Sequence, residues 1–253
     1  MIAGIDFELI RILLAAIMLG TASILDIRKR EVSDFLWVFF GAIAFTVYGL
    51  EFAFGLIPDI FDMAVPILIA AAISFGVYRS GLFGGADALA LVTLAAILPT
   101  FNGEIGENLL GGSSTFLIHP IVPLIVLSNA VILSLSQIGF NLLNNAAFTL
   151  GNPGRLFEGL EHESISRKII AVAIGYRANS RHAYSFPIEQ TVDGRRQFTF
   201  ALKNAETAEY ESRENVWVTL GTPFLAFMLG GYITMLFVGD IAGKLLSFLL
   251  LLF

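Results

Sequence analysis

The chain contains 253 residues, of which 56% are hydrophobic and 14% charged, and its formal net charge is -6. Soluble domains contain about 25% charged residues, so the composition excludes an ordinary soluble domain and predicts a polytopic membrane protein in contact with lipid. The chain has no cysteine, which excludes disulfides, thiolate nucleophiles and Cys-ligated zinc, and its negative charge disfavours nucleic acid as a partner.

Six apolar runs predict six transmembrane helices, because about 20 helical residues cross the hydrocarbon core of a bilayer. The fourth run is shorter than the others and ends before Pro99. An apolar tail, Leu245 to Phe253, can return to the membrane after the sixth run. The predicted helices are Phe7 to Leu25, Phe35 to Phe54, Met63 to Tyr78 with a possible start at Pro58, Ala88 to Leu98, Pro120 to Leu142, and Trp217 to Val238.

A polar segment, Leu150 to Asn215, separates the fifth and sixth runs. Ile169 to Ile174 resembles a buried strand, and the runs Ile188 to Val192 and Gln197 to Leu202, joined by Asp193-Gly194, predict a hairpin. The fold class is therefore an all-α polytopic membrane protein, six transmembrane helices with a small cytoplasmic α+β segment between helices five and six. Residues 1–149 form helices one to five, 150–215 the soluble segment, and 216–253 the sixth helix and tail.

The distribution of basic residues predicts the orientation in the membrane, since cytoplasmic loops carry an excess of lysine and arginine. Basic residues lie in the first loop (Arg28 to Arg30), at Arg79 in the third loop and throughout the polar segment. The loops around Asp59 and Glu104 hold none. Six helices with both termini outside place every basic loop in the cytoplasm.

This topology brings two carboxylates, Asp26 and Asp87, to the same cytoplasmic edge. Asp87 follows a glycine-rich turn and precedes the fourth run, where an aspartate can simply cap a helix. Asp26 follows the first run, where a helix dipole disfavours an acid by about 0.3–1 kcal/mol. An exposed salt bridge to Arg28 or Arg30 is the plain alternative there, and it contributes about 0–1 kcal/mol.

Two neighbouring carboxylates are the groups that an aspartic protease needs. One, ionised, takes a proton from the attacking water, and the other, protonated, donates to the peptide carbonyl and then to the leaving amine. Close carboxylates share one proton and titrate as a pair. Water is then the nucleophile, and no cofactor or metal is expected; the three histidines show no metal-ligand spacing.

Two motifs carry a family resemblance that covers essentially the whole chain. The motif Asp26-Ile-Arg-x-Arg-Glu-Val-x-Asp-x-x-Trp37 after the first run, and Gly84-Gly85-Ala86-Asp87-Ala88 before the fourth, resemble those of the archaeal preflagellin peptidases. These belong with the bacterial type IV prepilin peptidases among the GxGD membrane aspartyl proteases. The stretch Val216-Trp217-Val218-Thr219 before the last run is also similar to the preflagellin branch.

The resemblance implies that Asp26 and Asp87 are the catalytic pair. It implies cleavage of a short basic leader peptide from preflagellin (archaellin) or a prepilin-like precursor. The chain departs from the family pattern at Ala86, which replaces a glycine, and at Leu89, which replaces a lysine. The four-cysteine motif of many bacterial members is absent, so peptidase activity alone is expected.

Four further residues are candidates for substrate binding. Gly84 and Gly85 would let an extended substrate lie against the backbone, and they would let helix four move so that the aspartates meet. Glu31 and Asp34, beside Asp26, could attract a basic leader, although a solvated loop surface is the simpler interpretation. Both tryptophans, Trp37 and Trp217, are interpreted as anchors at the membrane interface.

Two other functions remain possible on the sequence alone. A small proton-coupled transporter could use the two aspartates as a relay, although carriers usually place such residues near the bilayer midplane in repeated, broken helices. A scaffold without chemistry would use them only as helix caps, and it would tolerate a change of either aspartate to asparagine.

Overall fold

The computed structural model describes residues 6–56, 59–81, 83–101, 120–179, 185–200, 214–221 and 223–250. The chain divides into two compact units. Residues 1–134 and 223–253 form the first, called the helical unit below, and residues 135–222 form the second, called the mixed unit. The predicted polar loop around Glu104, the possible helix start at Pro58 and the last three residues of the predicted tail lie outside the described residues.

The helical unit contains helices at the predicted apolar runs, although the fifth ends earlier and the sixth begins later than predicted. In chain order the helices are α1 (Phe7–Lys29), α2 (Asp34–Ala53), α3 (Ile60–Arg79), α4 (Gly85–Ile97), α5 (Val122–Ser134), α8 (Phe224–Phe237) and α9 (Ile241–Leu250).

The ends of the first helices follow ordinary capping chemistry. Asp6 accepts a hydrogen bond from the Leu9 N–H (2.9 Å), and Ser33 accepts one from Phe35 at the start of α2. The first helix ends where Arg30 takes the left-handed conformation (φ 55°) and its N–H bonds to the Asp26 carbonyl. Helix α1 is therefore one turn longer than predicted, and Asp26 lies in its last turn rather than in a loop.

Helix α4 is at the centre of the helical unit, where it packs against α1, α2, α3, α5 and α8. Its leucines Leu91 and Leu94 are buried with Met18 and Leu19 of α1. The outer helices instead expose large apolar side chains, such as Phe45 of α2 (80% exposed) and Phe75 of α3 (69%). An apolar outer surface around a buried helix is the arrangement expected in lipid.

Among the described residues, four helical segments are long and apolar enough to cross a membrane, namely Phe7–Lys29, Asp34–Ala53, Ile60–Arg79 and the nearly continuous run Val122–Gly151. Helices α4, α8 and α9 are shorter. At 1.5 Å per residue, the 13 residues of α4 extend about 20 Å, less than the roughly 30 Å of a hydrocarbon core. The protein is thus mostly helical with four such segments, and six spans remain a prediction.

In its described residues, the mixed unit combines two helices with five short strands. Helices α6 (Ser136–Gly151) and α7 (Ile165–Ile174) accompany two antiparallel sheets, one with strand order β1-β5-β2 and the other made of β3 and β4. The strands are β1 (Tyr176–Ala178), β2 (Ser185–Pro187), β3 (Glu189–Val192), β4 (Arg195–Phe198) and β5 (Val216–Leu220).

The predicted hairpin is confirmed. Strands β3 and β4 pair with Val192 opposite Arg195, and both turn residues have positive φ (Asp193 51°, Gly194 76°), as a two-residue turn requires. Buried Glu189 accepts two bonds from Arg196 (2.7 and 3.0 Å) and one from the Trp217 N–H (3.1 Å). One carboxylate therefore joins the hairpin to β5.

Two predictions in this region are wrong. The run Ile169 to Ile174 is part of helix α7, not a buried strand, because Ser164 caps the helix and only Ala171 is buried, while Ile169 remains exposed. The sixth apolar helix begins at Phe224 rather than Trp217, because Val216 to Leu220 pair with β1 and β2.

Neither tryptophan is an interfacial anchor. Trp217 is fully buried, with its ring stacked on Phe157 at a centroid distance of 5.3 Å. Trp37 is only 4% exposed and belongs to the core of the helical unit. Both rings fill the interior of their own unit, so packing rather than lipid contact explains them.

The close approach of α5 and α8 gives a first testable prediction. A Cβ atom at Gly231 would lie 2.6 Å from the Val126 carbonyl oxygen and 2.8 Å from the Ala130 nitrogen. We expect Gly231→Ala to lower the free energy of unfolding by about 1–3 kcal/mol, because the helices must separate. The measurement is the thermal unfolding midpoint in detergent.

Gly41→Ala is the matched control, because a Cβ atom at Gly41 in α2 would meet nothing within 4 Å. Alanine replaces glycine inside a helix with a gain of about 0.5–1 kcal/mol, so this variant should unfold at or above the wild-type midpoint. Equal midpoints for the two variants would contradict the packing argument.

Candidate active site

Asp26 lies in the last turn of α1, one face of which packs against α8. Its half-buried carboxylate accepts a hydrogen bond from the backbone N–H of Leu225, in the first turn of α8, and the Arg30 cation lies within electrostatic range. The first N–H groups of a helix have no acceptor within the helix. Asp26 therefore supplies an acceptor that the start of α8 would otherwise lack.

Asp87 is the third residue of α4, not its N-cap. The N-cap is Gly84, whose N–H donates to Asp87 Oδ2 at 3.2 Å. Gly81, in the preceding turn, has φ 73°, a conformation that favours glycine. The carboxylate thus closes the first turn of its own helix through one oxygen.

Asp26 and Asp87 both belong to the helical unit. The two carboxylates interact electrostatically, although they belong to different helices. Helix α1, which carries Asp26 in its last turn, packs against α4, which carries Asp87 in its first turn. Two carboxyl groups within electrostatic range can divide the roles of acid and base between them.

The start of α8 contacts both aspartate-bearing segments, and the sequence analysis missed this feature. Ser23 Oγ, on the same face of α1 as Asp26, donates to the Leu225 carbonyl at 2.8 Å. The ring of Phe83, just before Gly84, lies 4.6 Å from the ring of Phe224. Pro223, followed by an apolar run, was the available signal for a helix start here.

The other predicted site residues lie in neighbouring segments. Glu31 is exposed in the short connection after α1, and Asp34 is exposed as the first residue of α2. Gly85 is the first residue of α4 and is half-buried. Within the described part of the chain, no group of three His, Asp or Glu side chains could hold a metal ion.

Comparisons with known proteins agree with the resemblance noted in the sequence. A model of the type IV leader peptidase family matches residues 13–138, and a model of the archaeal peptidase A24 C-terminus, type II, matches residues 167–241. Together the two models cover most of the chain. Both aspartates lie within the first match.

Three curated proteins named preflagellin peptidase are similar to this chain over nearly its whole length. That of Methanocaldococcus jannaschii is 24% identical over 250 residues, which are 94% of this chain and 98% of the relative. That of Methanococcus maripaludis is 24% identical, covering 96% and 99%. That of Methanococcus voltae is 26% identical, covering 90% and 94%.

Proposed function

The chain belongs to the type IV leader peptidase family, and from this premise we propose that it is an integral membrane aspartyl endopeptidase. Its substrate would be preflagellin (archaellin) or a prepilin-like precursor, from which it removes a short basic leader peptide. The observation that carries the proposal is the electrostatic proximity of the Asp26 and Asp87 carboxylates, contributed by two packed helices.

The proposed reaction is hydrolysis by an activated water. The ionised carboxylate removes a proton from water as the water oxygen attacks the scissile carbonyl carbon. The protonated carboxyl donates its proton to the carbonyl oxygen. As the carbon–nitrogen bond breaks, the carboxyl that took the water proton gives it to the leaving amine, and the other carboxylate takes a proton from a hydroxyl of the tetrahedral intermediate. The pair titrates as a unit, so neither Asp26 nor Asp87 is assigned a single role.

Fixed hydrogen-bond donors support both carboxylates in this reaction. The Leu225 N–H orients Asp26, and the Gly84 N–H orients Asp87 through Oδ2. Side chains held before substrate arrives need no rearrangement at the moment of reaction, which is a large part of enzymatic rate enhancement.

We place the active site at the cytoplasmic face, with six spans and both termini outside. The support is the distribution of basic residues, since Arg28 to Arg30 follow Asp26 directly and Arg79 precedes the Gly84 turn. A basic leader that remains in the cytoplasm would then reach the aspartates without crossing the bilayer.

The central test replaces each aspartate by asparagine. Asn keeps an oxygen that can accept the Gly84 or Leu225 N–H but cannot exchange a proton, so we expect each variant to fold and to lose about 10²–10⁴-fold in cleavage rate. The measurement is conversion of a membrane-embedded precursor by enzyme in proteoliposomes. The double variant should be no slower than the singles, because the pair acts as a unit.

Asp62→Asn is the matched control, since Asp62 is an exposed acid in the first turn of α3. It should cleave at the wild-type rate. Normal cleavage by Asp26→Asn or Asp87→Asn would reduce that aspartate to a helix cap or a surface charge, and the proposed mechanism would be wrong.

We also propose that Glu31 and Asp34 attract the basic leader, because both carboxylates are exposed in the segment that follows Asp26. Exposed charge pairs contribute about 0.2–1 kcal/mol each, so reversing both charges should raise KM by about three- to tenfold with kcat unchanged. The effect should shrink at high salt. Steady-state cleavage of a lysine-rich leader checks it.

Asp62→Lys controls for the loss of an acid from the first turn of a helix and should leave KM unchanged.

The side of the membrane on which Glu31 lies can be measured by cysteine labelling, because the chain has no cysteine of its own. A cysteine introduced at Glu31 should react with an impermeant thiol reagent only from the cytoplasmic side. An unchanged KM for the double reversal, or labelling from outside, would eliminate this role for the pair.

The two glycines beside Asp87 are the proposed contact for the extended substrate backbone. A Cβ atom added at Gly84 would lie 3.6 Å from Asp87 Oδ2, an ordinary contact, and the φ of -72° suits alanine. Gly84→Ala should therefore fold, yet obstruct close approach of a peptide and raise KM about tenfold, or about 1.4 kcal/mol. Wild-type cleavage kinetics in this variant would show that no substrate lies there.

A further inference from the structure

The start of α8 is attached to α1 through both backbone polar groups of one residue. The Leu225 N–H donates to the Asp26 carboxylate, and the Leu225 carbonyl accepts from Ser23 Oγ at 2.8 Å. Ser23 and Asp26 are three residues apart on a helix and share one face. Ser23 is only 3% exposed, so its hydroxyl is removed from solvent and committed to this bond.

A second attachment fixes the direction of α8 along α1. Tyr232, fully buried two turns further along α8, donates its hydroxyl to the Ile12 carbonyl at 2.8 Å. With both attachments present, α8 runs antiparallel to α1. The Tyr232 bond lies two turns away from Leu225, so the Ser23 bond is the one that holds the Leu225 backbone directly against α1.

The same turn of α8 also reaches the other aspartate motif. Phe224 packs against Phe83 with a ring-centroid distance of 4.6 Å, and Phe83 immediately precedes the Gly84 that caps Asp87. A displacement of the first turn of α8 would therefore move groups next to both carboxylates.

We propose that Ser23 is a positioning residue for the aspartate pair. It holds the first turn of α8 so that the Leu225 N–H remains directed at the Asp26 carboxylate, and it thereby fixes Asp26 relative to Asp87. Ser23 itself touches neither water nor substrate in this scheme. The inference rests on the peptidase function proposed above.

The test compares Ser23→Ala with wild type in kcat, KM and the pH dependence of kcat, using one precursor in proteoliposomes. Alanine fits the space of serine but cannot donate to Leu225. We expect kcat to fall about ten- to a hundredfold with KM within twofold of wild type, because the reacting groups are misplaced while substrate binding is intact. The acidic limb of the pH profile should move to higher pH, because the Asp26 carboxylate loses a fixed donor.

Two further variants separate positioning from general destabilisation. Ser128→Ala removes a hydroxyl of α5 that donates within its own helix, to the Ile125 carbonyl. This variant should have the wild-type kcat, KM and pH dependence of kcat. Ser23→Thr retains the hydroxyl and should recover most of kcat and the wild-type pH profile. If its added methyl prevents folding, the pH profile of Ser23→Ala decides alone.

A wild-type kcat and pH profile for Ser23→Ala would overturn the proposal, as would a loss confined to KM or an equal loss in Ser128→Ala. Failure of the proposed function is distinguishable. If Asp26→Asn cleaves normally, the peptidase mechanism is wrong. If Asp26→Asn is inactive and Ser23→Ala is normal, only the positioning role is wrong.

Discussion

A polar group inside an apolar helix bundle must find a partner within the protein, because neither lipid nor the packed core can supply one. In the helical unit the buried polar side chains Ser23, Asn129 and Tyr232 meet this requirement by bonding to the backbone of another helix. These bonds connect α8 to α1 and to α5. Asp26 also takes a hydrogen-bond partner from the start of α8.

Asp87 lies in the first turn of α4, the central helix of the helical unit. Helix α4, with 13 residues packed against five other helices, begins at half-buried residues, 84–87. Its first N–H groups therefore need acceptors close by, and the Asp87 carboxylate supplies one of them to Gly84. The cap and the proposed catalytic group are the same side chain, so a capping role for Asp87 does not argue against a catalytic one.

Much of the architecture was predictable because membrane helices correspond to long apolar runs in the sequence. Most of the apolar helices and the hairpin turn at Asp193-Gly194 were expected. The mixed unit was less predictable. The composition of Ile169 to Ile174 predicts a buried strand. The segment is a helix instead, capped by Ser164, and its isoleucines are exposed.

The role of the first turn of α8 could not be predicted, because the apolar pattern of the sequence does not show where this helix begins. Val216 to Leu220 are as apolar as a membrane segment, so periodicity alone joins them to the following helix. Their pairing with β1 and β2 is a long-range effect that no local pattern contains. Once the helix start moves from Trp217 to Phe224, Leu225 becomes the residue opposite Ser23 and Asp26.

The ends of α1 and α4 that lie away from the aspartates bear on the choice between hydrolysis and proton transport as the function. Arg11 of α1 and Glu51 of α2 form an ion pair there (2.8 Å), and Tyr48 beside Arg11 reaches the carbonyl of Ile97, the last residue of α4. A relay across the unit would have to join this cluster to the aspartates. Between them the facing core is aliphatic and buried, built from Met18, Leu19, Leu91 and Leu94.

A proton path through a membrane protein needs polar groups or water along its length. The buried side chains of Met18, Leu19, Leu91 and Leu94, which lie between the two polar ends of α1 and α4, supply no polar group for such a path. A pair of carboxylates, each near a helix end, suits a reaction that draws its water and returns its product to the same compartment. This arrangement favours hydrolysis over transport.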